Sequence, residues 1–264
     1  MYAASKSCIK VNNEITDYFE TKLGVKQGDN FRPNQIKIFI NDLPKYLQET
    51  PDFVSLNGRR VHCLMFADDV ILLSKTAAGL QSKIDILNHY CEDWCLNVNT
   101  NKTKILVFNM AGRHYRLNFK FNNVPLESVK EYKYLGIHFC ASGSFSYAQE
   151  QLYKKGVKAY FKLTKDFLSM HPSVKTSMHM FDHTIKPILL YGCEIWGMFN
   201  PFSSKFRKGQ PSFCDFFAKN HAEKLHQKFL KYILGVHTTT INIAVLSELG
   251  RFPLYYNIIK AMLK

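Results

Sequence analysis

The spacing of apolar residues changes several times along the chain, and each change marks an expected element. Residues 8–11 and 15–19 read as short strands around Asn12-Asn13, a residue pair suited to a hairpin turn. A polar turn with two glycines follows, Leu23-Gly24-Val25-Lys26-Gln27-Gly28-Asp29. In residues 33–48, Ile36, Phe39, Ile40 and Leu43 fall on one helix face, with Pro33 at the start and Pro44 ending or kinking it. Residues 61–74 switch to alternation (Val61, Cys63, Met65, then Val70, Leu72) with Asp68 and Asp69 between the arms, which predicts a β-hairpin carrying two carboxylates at its tip. Leu80, Ile84, Leu87, Cys91 and Trp94 then recur at steps of four and three, an amphipathic helix over 77–95 with Thr76 as N-cap.

Ile105 and Val107 begin another β region. Leu117, Phe119 and Phe121 alternate, Asn122-Asn123 turns, and Tyr132 to Phe139 reads as the return strand. Gly143-Ser144 breaks the pattern. Beyond it the periodicity is helical: 145–169 through Ala148, Leu152, Val157, Phe161 and Phe167/Leu168, then 174–199 and about 213–234, with 200–212 as a loop. The expected class is therefore α+β. The parts are 1–110, a β connection at 111–143, and a helical 144–264.

Charge separates these parts. Residues 1–110 hold 13 Lys+Arg against 12 Asp+Glu, whereas residues 111–264 hold 22 against 9. The C-terminal part thus carries nearly all of the +14 excess and is the candidate nucleic-acid face, because basic side chains displace counterions from phosphates. A content of 46% hydrophobic residues argues for a packed core. No apolar run reaches the ~20 residues of a spanning helix, and Met1 to Lys10 lacks a signal-peptide core, so the sequence reads as soluble and intracellular. The seven cysteines are scattered and odd in number, which disfavours a disulfide framework. Cys214, His221 and His226 come without a CxxC partner and are not read as a zinc site.

Phe66-Ala67-Asp68-Asp69 resembles the aromatic-Ala-Asp-Asp motif of reverse transcriptases. Upstream, Gln27-Gly28, Pro33 and Phe39-Ile40-Asn41-Asp42-Leu43 are similar to the block that precedes it in non-LTR (LINE-type) retrotransposon enzymes. Downstream, Leu96-Asn97-Val98-Asn99 with Lys102-Thr103-Lys104, then Tyr134-Leu135-Gly136-Ile137, resemble the later palm blocks. Tyr191-Gly192-Cys193-Glu194-Ile195-Trp196-Gly197 and Glu248-Leu249-Gly250 resemble segments beyond the palm. The resemblance runs over about residues 1–255, and it implies a partial palm, an antiparallel sheet with packed helices, followed by a mainly helical thumb.

The resemblance also implies roles. In-line nucleotidyl transfer uses two Mg²⁺ ions held by carboxylates, so Asp68 is the first candidate ligand and Asp69 assists it. Gln27 and Gly28 would contact the template and the nascent base pair. Phe66 would face the primer end or the incoming sugar. Lys102 would approach the triphosphate, with Lys104 as a rival for that role. Tyr134, Leu135 and Gly136 lie where the family grips the primer end, and a plain core strand is the competing reading. Lys154, Lys155, Lys158, Lys162 and Lys165 would track the backbone of an RNA template and DNA primer, or form a solvated face.

Two departures stand out. Asp29-Asn30-Phe31-Arg32 replaces the family's small residue and Leu-Ser before Pro33, and Cys95 stands where glycine is common. The family's third carboxylate, on an earlier strand in a Phe-x-Asp pattern, has no match in the 26 residues before Gln27; Asp17 lacks the surrounding pattern. The expectation is a palm-and-thumb fragment that does not polymerise alone. The alternatives are a non-catalytic nucleic-acid-binding module or a non-functional relic of a retrotransposon.

Overall fold

The computed structural model describes residues 6–12, 14–20, 32–197 and 220–263. Its fold is α+β. The chain parts into two compact units, one of residues Met1–Lys104 and Leu117–Glu127, the other of Ile105–Arg116 and Ser128–Lys264.

The first unit opens with a ribbon. Strands β1 (Lys6–Ser7) and β4 (Phe19–Glu20) pair antiparallel around the inner pair β2 (Lys10–Val11) and β3 (Glu14–Ile15). Asn12, at φ 47°, takes the left-handed turn expected of it. The single helix expected at 33–48 is two, α1 (Arg32–Phe39) and α2 (Leu43–Leu47). Pro44 sits in the first turn of α2, where its missing N–H costs nothing, so it starts a helix and does not end one. Strands β5 (Val54–Leu56) and β6 (Arg59–Val61) make a hairpin turned by Asn57-Gly58. Strands β7 (Cys63–Phe66) and β8 (Asp69–Leu72) make the next, in the register Cys63↔Leu72 to Phe66↔Asp69. Its inward residues Cys63, Met65, Val70 and Leu72 pack with Leu43, Leu47 and Tyr90, as the alternation requires.

Helix α3 (Ala77–Asp93) is capped by the Thr76 hydroxyl, which accepts the Gly79 N–H at 3.0 Å. Its buried side chains are Lys83, Ile84, Tyr90 and Cys91, while Trp94, expected inside, is 41% exposed. Lys83 is fully buried because its ammonium donates to the Leu73 carbonyl. Strands β9 (Lys104–Leu106), β10 (Phe119–Phe121) and β11 (Val124–Val129) form a three-stranded sheet in the order β10-β11-β9. Asn122 and Asn123, both at positive φ, turn β10 into β11.

In the second unit, Tyr132 to Phe139 is not one return strand. It is a hairpin of β12 (Glu131–Tyr134) and β13 (Ile137–Cys140), and β11 takes the role of the return. Leu135 (φ 45°) and Gly136 (φ 86°) form its two-residue turn, the backbone that suits the right-handed twist of the strands. Helix α4 (Ser146–Met170) buries Ala148, Leu152, Gly156, Tyr160, Leu163 and Phe167. Phe161 and Leu168, expected inside, are exposed.

The helix expected at 174–199 is three pieces: α5 (Val174–Thr184), α6 (Lys186–Leu189) and α7 (Cys193–Trp196). Pro187 opens α6, and Gly192 in the left-handed region opens α7. The expected loop 200–212 lies outside the described residues. Helix α8 (His221–Leu234) is capped by Asn220 and stopped by Gly235. Helices α9 (Asn242–Glu248) and α10 (Leu254–Met262) complete the described chain. Tyr160, Phe181, Ile185, Leu189, Phe229 and Leu230 are among the residues of the core that joins these helices.

Candidate active site and nucleic-acid interface

The β7–β8 hairpin brings Phe66, Asp68 and Asp69 together. Phe66 and Asp69 are the last paired residues of the ladder, and Ala67-Asp68 closes the turn. Ala67 adopts φ 51°, a left-handed backbone that alanine rarely takes. Both carboxylates are exposed, and among the described residues neither has a hydrogen-bond or ion-pair partner. Phe66 is 60% exposed and Leu64, on the same outward face of β7, is 48% exposed. The tip therefore presents two adjacent acids and an uncovered ring on a short, rigid hairpin whose other face is anchored in the core.

The hairpin is also anchored at its exit, and Asp52 does it. Its carboxylate accepts the Ser74 hydroxyl (2.6 Å), the Lys75 N–H (3.0 Å), the Thr76 N–H (2.9 Å) and the Thr76 hydroxyl (2.6 Å). The Ser74 bond, then those of Thr76 and Lys75, hold its carboxyl well below the usual aspartate range. A Cβ on Gly79 would collide with the Asp52 carboxylate, so the first turn of α3 closes over this acid with glycine there. Burial pushes the Lys83 ammonium below its ordinary pKa, and Asp52 opposes that shift. Sequence reading missed both residues: nothing in a lone aspartate 22 positions before Ser74 signals the contact.

Lys102 stands exposed on the turn that Asn99 organises, where Asn99 accepts the N–H groups of Lys102 and Thr103 on its carbonyl. The rival Lys104 is occupied. Its ammonium meets Glu127 Oε2 at 2.6 Å and holds that carboxyl below its ordinary range. Gln27 and Gly28, and the departures Asp29-Asn30-Phe31, lie outside the described residues. Cys95 adopts φ 52° just past the end of α3, with the Leu96 N–H on the Cys91 carbonyl. A glycine would sit there without strain.

In the second unit, Tyr134 ends β12 opposite Ile137, and the Leu135-Gly136 turn after it is held by Tyr191. The Tyr191 hydroxyl donates to the Leu135 carbonyl at 2.8 Å, and a Cβ on Gly136 would come within 3.0 Å of the Tyr191 ring. The Tyr191 carbonyl in turn accepts the Trp196 indole N–H at 2.8 Å. Gly197 is packed so closely that a Cβ would meet Ile258 Cγ2 and the Cys193 carbonyl at 2.5 Å. These motif residues are accounted for by packing.

On α4, Lys154, Lys155, Lys158, Lys162 and Lys165 form an exposed stripe opposite the buried face. Lys154 pairs with Glu150 at 2.7 Å. Lys228 joins the stripe's edge over the rings of Tyr160 and Phe161, 5.1 and 5.3 Å from their centroids.

As donors, the two tip carboxylates suit a hard, oxygen-seeking cation such as Mg²⁺. They do not make a full cage, since among the described residues no group of three His, Cys, Asp or Glu side chains is placed to hold a metal. No described helix is long and apolar enough to cross a membrane.

Comparison with known proteins supplies the family to which these motifs belong. The chain belongs to the reverse transcriptase family: the model described as "Reverse transcriptase (RNA-dependent DNA polymerase)" matches residues 2–139. The chain is 27% identical over 153 residues to a transposon-derived protein of Caenorhabditis elegans, covering 58% of this chain and 54% of that protein. It is 25% identical over 202 residues to the Drosophila melanogaster protein named "Probable RNA-directed DNA polymerase from transposon BS", covering 72% of this chain and 21% of the relative. It is 24% identical over 188 residues to the "RNA-directed DNA polymerase from mobile element jockey" of the same fly, covering 66% and 19%. The chain thus spans about half the length of the first relative and about a fifth of the other two.

Proposed function

We propose that this chain is the palm-to-thumb portion of an RNA-directed DNA polymerase of a non-LTR retrotransposon. Residues 1–110 would be a partial palm, 111–143 the connection and 144–264 the basic thumb region. The observation that carries the reading is the β7–β8 tip. It offers two exposed acids at a tight turn, without a partner among the described residues, inside the matched residues 2–139. Asp68 and Asp69 would hold Mg²⁺, which when bound neutralises charge on the reacting phosphates. Phe66 would lie against the primer end or the incoming sugar. Lys102, exposed on the turn at Asn99, would meet the triphosphate. Gln27 and Gly28 would face the template. Leu135 and Gly136, with Tyr134, would support the primer end, and the α4 lysines would track the phosphates of an RNA template and a DNA primer.

Among the described residues the tip offers two acids and no third is placed beside them, so primer extension by this chain as it stands is expected to be absent. Loss of one ligand costs orders of magnitude in rate, at about 1.4 kcal/mol per factor of ten. Primer extension by the purified chain, on an RNA template with Mg²⁺, tests this directly. The expected result is no product above background. Robust extension that disappears in Asp68→Ala would overturn the inactivity and leave the polymerase reading standing.

A second reading, a nucleic-acid-binding module without catalysis, is favoured by the exposed α4 lysines. It predicts sequence-tolerant binding that weakens steeply with salt. Absence of binding at low salt removes it.

A further inference from the structure

We infer that a cavity in the helical unit, at the Gly250-Arg251-Phe252 segment, is a stacking site for one base of single-stranded nucleic acid. The inference rests on the nucleic-acid reading above and adds to it a place and a strand state. The cavity holds about 180 Å³, room for several waters or one flat ring. Lys186, His226, Arg251, Phe252, Tyr256 and Asn257 are among the residues that line it.

Three features point to a base. The first is apolar and flat. Phe252 and Tyr256 stack on each other, centroids 5.1 Å apart and 28° between planes, yet are 68% and 50% exposed. A pair of fixed rings left in water is a platform on which a further flat ring gains contact.

The second is polar. His226 is fully buried, its Nδ1 lies 3.4 Å from Glu223 Oε1, and its Nε2 has no hydrogen-bond partner among the described residues. Glu223 is fixed in turn by the Leu254 N–H at 2.6 Å and the Gln227 amide at 2.8 Å. A buried ring nitrogen without a partner is uncommon, and the edge of a nucleobase offers both donors and acceptors.

The third is charge. Arg251 forks onto Asp182 at 2.6 and 2.7 Å, and Lys186 shares that carboxylate at 3.5 Å. Arg251 offsets Asp182, and Lys186, the looser partner of that carboxylate, is the cation left to meet the phosphate that accompanies a base, with the buried Glu223 behind His226 balancing the cluster as a whole. Bases in a duplex keep their faces stacked inside, so the platform selects an unpaired one.

The test uses the full chain. Fluorescence anisotropy would compare oligouridylate and oligothymidylate of equal length with a blunt RNA–DNA hybrid, over a range of salt. Phe252→Ala combined with Tyr256→Ala removes two largely exposed rings whose stacking is on each other, so the thermal melt should fall only slightly and stay cooperative. Single-strand affinity should fall about tenfold or more, with an unchanged salt slope and unchanged hybrid affinity. Lys186→Gln should instead lower the single-strand salt slope by about one. Loss on either strand type supports the site and identifies the strand it takes. A double variant that binds single strands like the wild type, or that loses hybrid binding equally, overturns it. Wild-type binding to the hybrid but not to single strands ends this inference and spares the polymerase reading. Binding to neither ends both.

Discussion

The two units use their motif residues in opposite ways. In the helical unit, Tyr191, Gly192, Trp196 and Gly197 all have packing reasons to be what they are: a bond to the Leu135 carbonyl, close approach to Ile137, a bond to the Tyr191 carbonyl, and close approach to α10. In the first unit, Asp68, Asp69 and Phe66 lie exposed, and among the described residues no packing interaction accounts for them. Their hairpin is fixed instead by residues outside the motif, Asp52 and the Leu43, Leu47 and Tyr90 core. The contrast teaches how to read a motif. Where neighbours explain a residue, its recurrence speaks for the fold. Where they do not, chemistry is the better explanation.

The largest expected effect tests the packed side. Gly197→Ala puts a methyl group into Ile258, the Met262 sulfur and the Cys193 carbonyl, all closer than 3.0 Å. Backbone is among the obstacles, so the cost should reach about 3 kcal/mol. Hydrogen exchange should then accelerate in α7 and α10 while α3 keeps its protection. If α3 loosens equally, the two units do not differ as described.

Next in size is Asp52→Ala, which strips four donors of their acceptor and should cost about 2 kcal/mol. The sign of its pH dependence is fixed. Because the folded carboxyl titrates below the ordinary aspartate value of 3.8, its contribution is complete above that pH and fades as pH falls below it. Acid titration of stability should therefore be shallower in Asp52→Asn than in the wild type. Equal slopes would mean that Asp52 does not anchor the hairpin exit.

Much of this was legible because local rules act over short distances. The alternation of Cys63, Met65, Val70 and Leu72 specified the acidic hairpin, the Thr76 hydroxyl specified the start of α3, and Asn12 and Asn122 specified turns. The Leu135-Gly136 turn was not legible, since leucine is no turn former and enters the left-handed region here with Tyr191 bonded to its carbonyl. The break of 174–199 into three helices turns on Pro187 and Gly192, which a periodicity count passes over. Asp52 depends on Ser74 and the buried Glu223 on the Leu254 N–H, contacts between segments far apart in sequence, and composition carries no trace of them.

A smaller effect probes the turn itself. Tyr191→Phe removes one hydrogen bond from a half-exposed ring and leaves its contact with Gly136, so about 1 kcal/mol should be lost. Chemical-denaturant midpoints would detect it. Because Leu135 is held at positive φ, Leu135→Gly in the same background should recover part of that loss by removing strain. No recovery would show that the bond to Tyr191 is not what holds the turn.

The smallest effect is the most informative. Asp68→Asn changes an exposed side chain with no partner among the described residues, and it relieves repulsion with Asp69. Stability should move by no more than about 0.5 kcal/mol, in the stabilising direction. The gain should shrink as salt rises, since screening already weakens the repulsion over about 8 Å at physiological ionic strength. A fold that is slightly better without this charge would give no structural reason for it, which leaves the proposed cation-binding role to account for Asp68. Marked destabilisation in a thermal melt would place Asp68 with Tyr191 and Gly197 as a packing residue and remove the distinction between the two units.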